Sequence, residues 1–265
     1  MLYNQSMETK RTSLILITLV ILVVAIFLLQ KINQPEKGQA VDQTHTIAST
    51  STIPYEIKSF TYASSSNETT VEYVQFAKMP TVNRVLEKEA RDIFNKNVKD
   101  LETSLAEYVE AGLPLEGRSF VIDRTVERDM VFINENKTIV SVAYENYSDM
   151  GGAHGTFFFS SDTIDVAINK KLALSDILKE GYKTELTPYI KDKIIRHSET
   201  CIRCGELEGE IDPSVNVIPE HFVIQSDGIR LLYGAYELGP YVATSGGQEL
   251  IIPKTDMVAY LAREW

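Results

Sequence analysis

The feature that most constrains this chain is the run from Leu14 to Leu29, sixteen residues that are apolar except for Thr18. With Thr12 and Ser13 it reaches the length needed to cross the hydrocarbon core of a bilayer. No charge interrupts it, and it is too long for a buried core helix. Lys10 and Arg11 precede it, which by the positive-inside rule leaves the N-terminus in the cytoplasm. A cleaved signal peptide has the same charged start, but cleavage follows small residues soon after the apolar stretch. Here the stretch runs into Gln30, Lys31 and Ile32, with no small-x-small pattern until Gly38 to Ala40. No Cys follows to carry a lipoprotein anchor. The sequence therefore predicts a cytoplasmic tip (1–11), a transmembrane signal anchor (12–30) and a large domain outside the cytoplasm, in a single-pass inner or plasma membrane protein.

Residues 31–52 are rich in Gln, Thr, Ser and Lys and nearly lack large apolar side chains, so they read as a flexible stalk. Before position 53 lie four basic and three acidic residues of the chain's 26 and 37, which leaves 22 and 34 beyond it and a net charge of −12. Such a domain is a poor partner for nucleic acid, whose binding rests on clustered Lys and Arg. It suits a basic protein, because opposite fields steer encounter. The plainer reading is that the acidity serves solubility.

The folded part is expected from Ile53 onward. Tyr55–Tyr62 and Val71–Ala77 alternate apolar and polar residues as half-buried strands do. Val82, Leu86, Ile93, Leu101 and Leu105 recur at helical spacing between Pro80 and Gly112. Strands follow at about 119–133, 138–147 and 156–168, then a helix at about 175–198. Phe222–Gln225 and Ile229–Tyr233 flank Asp227 and Gly228, a hairpin signal. A last strand, 249–252, leads to a terminal helix over 255–263. The order predicts an α+β fold of antiparallel sheets packed with helices. One division of it is into half-domains at 53–150 and 151–265.

Three constellations could carry chemistry. Gly151, Gly152 and Gly155 surround His154, allowing positive φ and close backbone approach. The imidazole is either a titratable site group or a prop for a tight bend. Cys201 and Cys204 are the only cysteines. In an oxidising compartment they suit a loop-pinning disulfide. His197 one turn earlier admits a metal reading, but zinc wants four ligands and no fourth is evident. The third is Tyr233 to Tyr241, where Tyr236, Glu237 and Tyr241 stand among glycines. It reads either as a recognition loop or as rings capping the sheet. Asp123, Asp129, Asp162 and Asp165 alternate with apolar neighbours and are expected on solvated strand faces. Asn67, Asn136 and Asn146 match the glycosylation pattern, which is common by chance. No hydrolase, zincin, phosphate-loop or calcium-loop motif is present, and no cofactor is called for.

The run TIVSVAYENYSDMGGAHG at 138–155, KKLALSDIL at 170–178 and the closing pattern from His221 to Pro253 together resemble a bacterial cell-envelope ectodomain family. It is the family shared by the anti-sigma factor RsiV and the N-terminal module of the peptidoglycan deacetylase PdaC. The family's aromatic–Glu pair, Pro–Tyr and Gly fall here on Tyr236, Glu237, Pro240, Tyr241 and Gly246. The resemblance covers nearly all of 53–265. It implies an α+β module without catalysis of its own, which in RsiV is a receptor for lysozyme, a strongly basic protein. Two departures limit it: the cytoplasmic tip is too short to bind a sigma factor, and the deacetylase domain with its metal-binding residues is missing. Met150 replaces an expected polar or aromatic residue, and the Cys201/Cys204 loop is an addition. The expected function is recognition of a basic envelope protein or of peptidoglycan. The alternative is a wall hydrolase or deacetylase using His154 with Glu237, Asp149 or Tyr241.

Overall fold

Two antiparallel-dominated sheets and one long helix form the framework. The structure, a computed structural model, describes residues 39–45, 54–115, 118–196, 201–202, 217–239, 247–263 and 265. The expected anchor at 12–30 lies outside the described residues, and among those described no helix is long and apolar enough to cross a membrane.

The large sheet contains β1 (Gln39–His45), β2 (Tyr55–Ala63), β3 (Asn67–Phe76), β4 (Phe120–Val126), β5 (Phe132–Ile133), β6 (Ile139–Asp149), β7 (Thr156–Asp165) and β8 (Lys170–Lys171). Its order is β1-β2-β3-β4-β6-β7-β8, with β5 also on β6. Every pairing is antiparallel except β3 with β4. That parallel step needs a crossover, supplied by α1 (Pro80–Glu110). Pro80 opens the helix where its missing N–H costs nothing. Asn83 clamps the entry by accepting from the Phe76 amide and donating to the Phe76 carbonyl, both at 2.8 Å. Val82, Leu86, Ala90, Phe94, Leu101 and Leu105 bury one stripe of α1. Leu86 joins Ile57, Val74 and Val142 of the sheet, each such side chain contributing about 1.5–3 kcal/mol.

Two short helices, α2 (Leu174–Ile177) and α3 (Tyr182–Arg196), occupy the span expected as one helix. Gly181, at φ +83°, stands at the break. The small sheet is ordered β10-β11-β12-β9, from β9 (Cys201–Ile202), β10 (Phe222–Ile224), β11 (Gly228–Tyr233) and β12 (Gln248–Pro253). Its core with α3 includes Leu186, Ile190, Ile224, Ile229, Leu231 and Ile252. The expected terminal helix is only α4 (Lys254–Met257) and one 3₁₀ turn, Val258–Tyr260. After it the chain runs back over α2, where the Ala262 amide donates to the Ile177 carbonyl.

Several expectations need correction. The stalk span contains a strand, since Gln39–His45 pairs residue for residue with Ile57–Ala63. Its ladder is made by backbone groups, which need no apolar side chains, and composition therefore missed it. The half-domain boundary at 150/151 falls in the turn between β6 and β7, which pair along ten residues. Phe120–Ile133 is broken by a 3₁₀ turn at Arg128–Met130, and Lys170–Lys171 is a short strand, not a turn. Asp162 and Asp165 are buried, not solvated. Asn67 and Asn146 are buried too, which removes both as glycosylation acceptors.

Candidate functional site

The β6–β7 turn carries the Gly/His motif. Gly151 is at φ +78°, and an added Cβ there would sit 3.0 Å from the Phe120 ring. The turn is held from both sides: the Gly151 amide donates to Asp149 Oδ1 at 3.0 Å, and Arg118 donates to the Gly151 carbonyl at 3.2 Å. Gly152 and His154 are exposed. His154 Nδ1 lies 3.0 Å from the Gly155 carbonyl oxygen. A side chain at Gly155 would overlap the Tyr147 ring, so the third glycine is there for close approach.

The Tyr/Gly loop after β11 meets the strand that follows this turn. The Ala235 amide donates to the Phe157 carbonyl at 3.0 Å, and a Cβ on Gly234 would lie 3.0 Å from Phe158 Cβ. Gly247 is tighter still, an added Cβ falling 2.5 Å from the Phe157 ring and 2.8 Å from the Phe159 ring. Two motifs some eighty residues apart thus converge on Phe157–Phe159. Tyr147 and Phe158 keep 42 % and 46 % of their surface, and Tyr236, at the tip of its loop, keeps 56 %. Tyr147 and Phe158 stand near the turn end of the β6–β7 hairpin on its two opposite faces, since Tyr147 pairs with Phe157 and Phe158 with Asn146. Glu237 is exposed, yet its carboxylate turns back to accept from the Gly234 amide at 2.8 Å. Tyr241, Pro240 and Gly246 lie outside the described residues, as do His197 and Cys204. Cys201 begins β9 and pairs in register with Leu250, so the disulfide and metal readings fall on residues not described.

Sequence reasoning missed two polar groups. The first is acidic and sits where the sheets pack together through Met130, Ala143, Phe159, Val223 and Leu232. Glu127 is pushed up to about 7 by burial and by Glu145, to which it is hydrogen-bonded, with Asp129 and Glu249 adding to the effect. Glu249 is buried and paired with Arg230 at 2.9 Å. The second is an ion network under α1. Arg124 is buried, its guanidinium 3.4 Å above the Tyr144 ring centroid, 3.4 Å from Asp162 and 3.5 Å from Glu89. Lys171 bridges Asp162 and Glu89 at the rim. Burial holds the Tyr144 phenol well above its ordinary range. His221, half-buried before β10, is pushed down by burial although Glu220, Glu237 and Asp162 oppose this. Beyond neighbours such as Glu127 and Asp129, the partners come from α1, a 3₁₀ turn and several strands far apart in sequence, so the sequence held no local signal for them.

Chemically, the turn end of the hairpin offers exposed ring surface. The Asp149 and Glu237 carboxylates, the expected partners of His154 in the enzyme reading, are each engaged with a backbone amide of their own turn. Among the described residues no group of three His, Cys, Asp or Glu side chains could hold a metal ion.

Comparison with known proteins gives the fold's relatives. No curated protein matches the chain. A solved DUF3298 family member from Bacteroides fragilis is similar at TM-score 0.52 and 20 % identity, over 86 % of this chain and 94 % of that one. A DUF3298 family protein from Pseudomonas aeruginosa aligns at TM-score 0.43 and 15 % identity, over 85 % of this chain and 93 % of that one. Residues 175–255, which include the Tyr236–Glu237 loop, match the family described as "Protein of unknown function (DUF3298)". The chain therefore carries a DUF3298 domain at residues 175–255.

Proposed function

We propose that this chain is a membrane-anchored extracytoplasmic binding module whose ligand is a basic envelope protein of the lysozyme kind. The observation that carries this reading is the seating of the Tyr236 loop on Phe157–Phe158, directly after the Gly-Gly-Ala-His-Gly turn. It brings exposed Phe158 against the loop that carries exposed Tyr236, while exposed Tyr147, paired with Phe157, lies on the other face of the hairpin. Exposed aromatic rings supply contact area at low entropy cost and are enriched where interfaces are strongest. The acidic balance beyond residue 53 supports a cationic partner. The apolar run at 12–30 supports the anchor, and the resemblance to the RsiV and PdaC ectodomains supports both the compartment and the ligand class.

The test is capture by the full-length chain, immobilised in detergent, of purified lysozyme and, separately, of peptidoglycan. Salt-sensitive retention of lysozyme is expected, reduced about tenfold by Tyr236→Ala, since a central Tyr is worth over about 1 kcal/mol. Retention of peptidoglycan alone would replace the protein ligand with a wall glycan. Modification of the glycan without retention would refute the binding reading and favour the His154 enzyme.

A further inference from the structure

The backbone at Tyr236 lies at φ +71°, in the left-handed region that Gly and Asn enter readily and a bulky side chain resists. Among the described residues three other non-glycine positions share it, Lys78, Lys137 and Asn169, all in turns. Tyr236 alone of the four is aromatic, and it stands 56 % exposed. More than half of its surface thus stays open to solvent despite the unfavourable backbone. Such conformations persist where the surroundings over-determine them, and they gather at binding sites.

The surroundings that impose it here are specific. The Glu237 carboxylate accepts from the Gly234 amide at 2.8 Å, while the Glu237 amide donates to the Gly234 carbonyl at 3.2 Å. The turn is thus closed by Glu237 on both backbone and side chain. The Ala235 amide then bonds to the Phe157 carbonyl, and Gly234 lies against Phe158, which fixes the closed turn to β7.

We propose that Glu237 is a positioning residue: its side chain locks the turn that holds Tyr236 in a strained backbone, so that the ring, and not the carboxylate, meets the ligand. This rests on the reading of the Tyr236 loop as the binding surface. It adds a division of labour between two adjacent residues and a trade of stability against recognition. Tyr236 gives up folding stability to keep the ring outward, and relieving the strain should be visible with no ligand present.

The experiment measures melting of the full-length chain, lysozyme retention, and hydrogen exchange of the Gly234 amide. The variants are Tyr236→Asn, Tyr236→Phe, Glu237→Gln and Glu237→Ala. Asn tolerates the left-handed region, so Tyr236→Asn should melt about 2–4 °C higher while retaining about tenfold less lysozyme. Tyr236→Phe keeps the strain and should show no rise in melting. Glu237→Gln still offers an acceptor to Gly234 and should leave retention within about twofold and exchange unchanged. Glu237→Ala should speed Gly234 exchange and lower retention. A Tyr236→Asn variant melting at or below the wild type would overturn the strain. Equal loss of retention in Glu237→Gln and Glu237→Ala would overturn the positioning role and make the carboxylate a ligand contact. If the wild type retains no lysozyme, the ligand reading fails, and the melting and exchange results still decide the inference.

Discussion

Replacing Arg124 by Met should be among the most destabilising single changes in the large sheet. The guanidinium is 1 % exposed and faces Asp162, also 1 % exposed, at 3.4 Å. Removing one member of a buried pair strands the other charge, which typically costs about 3–5 kcal/mol. Two features of this network set the position within that range. Lys171 stays on Asp162 and compensates part of the stranded charge. Against this, the stacking of Arg124 on Tyr144 is lost as well, worth about 0.5–2 kcal/mol. A loss of about 3–4 kcal/mol follows, or roughly 6–16 °C in melting temperature for a domain of this size. Lys171→Met should cost only about 1 kcal/mol, because that side chain is half exposed and Arg124 still neutralises Asp162. The assay is urea unfolding of both single variants and of Arg124→Met/Asp162→Leu, where the double variant should recover at least about 1 kcal/mol relative to additivity. An Arg124→Met loss below about 1 kcal/mol, or a larger loss for Lys171→Met, would refute the claim that the network is anchored from the inside.

Stability should fall as the pH rises through neutrality. Glu127 is raised from its ordinary 4.5 to about 7, so between those values the folded chain holds a proton that the unfolded chain has lost, and this advantage is gone above pH 7. Unscreened linkage gives about 3 kcal/mol, which partial solvation of the carboxyl cuts to about 1 kcal/mol. Unfolding from pH 5 to 8.5 should show the slope, and Glu127→Gln should flatten it. Gly155→Ala should displace the Tyr147 ring and weaken lysozyme retention, while changing the urea midpoint little because that ring is partly exposed and can move. Gly228→Ala should cost about 1–3 kcal/mol, since the new methyl would meet the Ile252 carbonyl, a backbone atom that cannot yield; an unchanged midpoint would contradict that packing. Leu86→Ala, in the center of the α1 interface, should cost about 2–5 kcal/mol.

Periodicity alone determined the α+β class, the long helix between Pro80 and Glu110, and most strands of the large sheet, because burial of one face imposes a pattern every two or 3.6 residues. The glycines of 151–155 and the Tyr236 loop were likewise legible as unusual, since residue type by itself signals special backbone. Only the tertiary structure decided what surrounds them. Gly228 reads in sequence as a hairpin turn residue and does open β11 directly after the β10–β11 turn, but only the structure shows that the Ile252 carbonyl also leaves no room for a side chain there. Glu237 reads as a candidate ligand group, yet its carboxylate is turned back onto its own loop. Asp162, between Ser161 and Thr163, reads as a solvated position, yet it is buried because Arg124, thirty-eight residues earlier, arrives beside it. β1 has little apolar character but completes the edge of β2 through backbone bonds. Apart from Glu237, whose carboxylate meets an amide of its own loop, the physical reason is common. A side chain's local pattern reports which face it occupies, whereas its partners come from strands distant in sequence, and contacts of that kind exist only once the chain has folded.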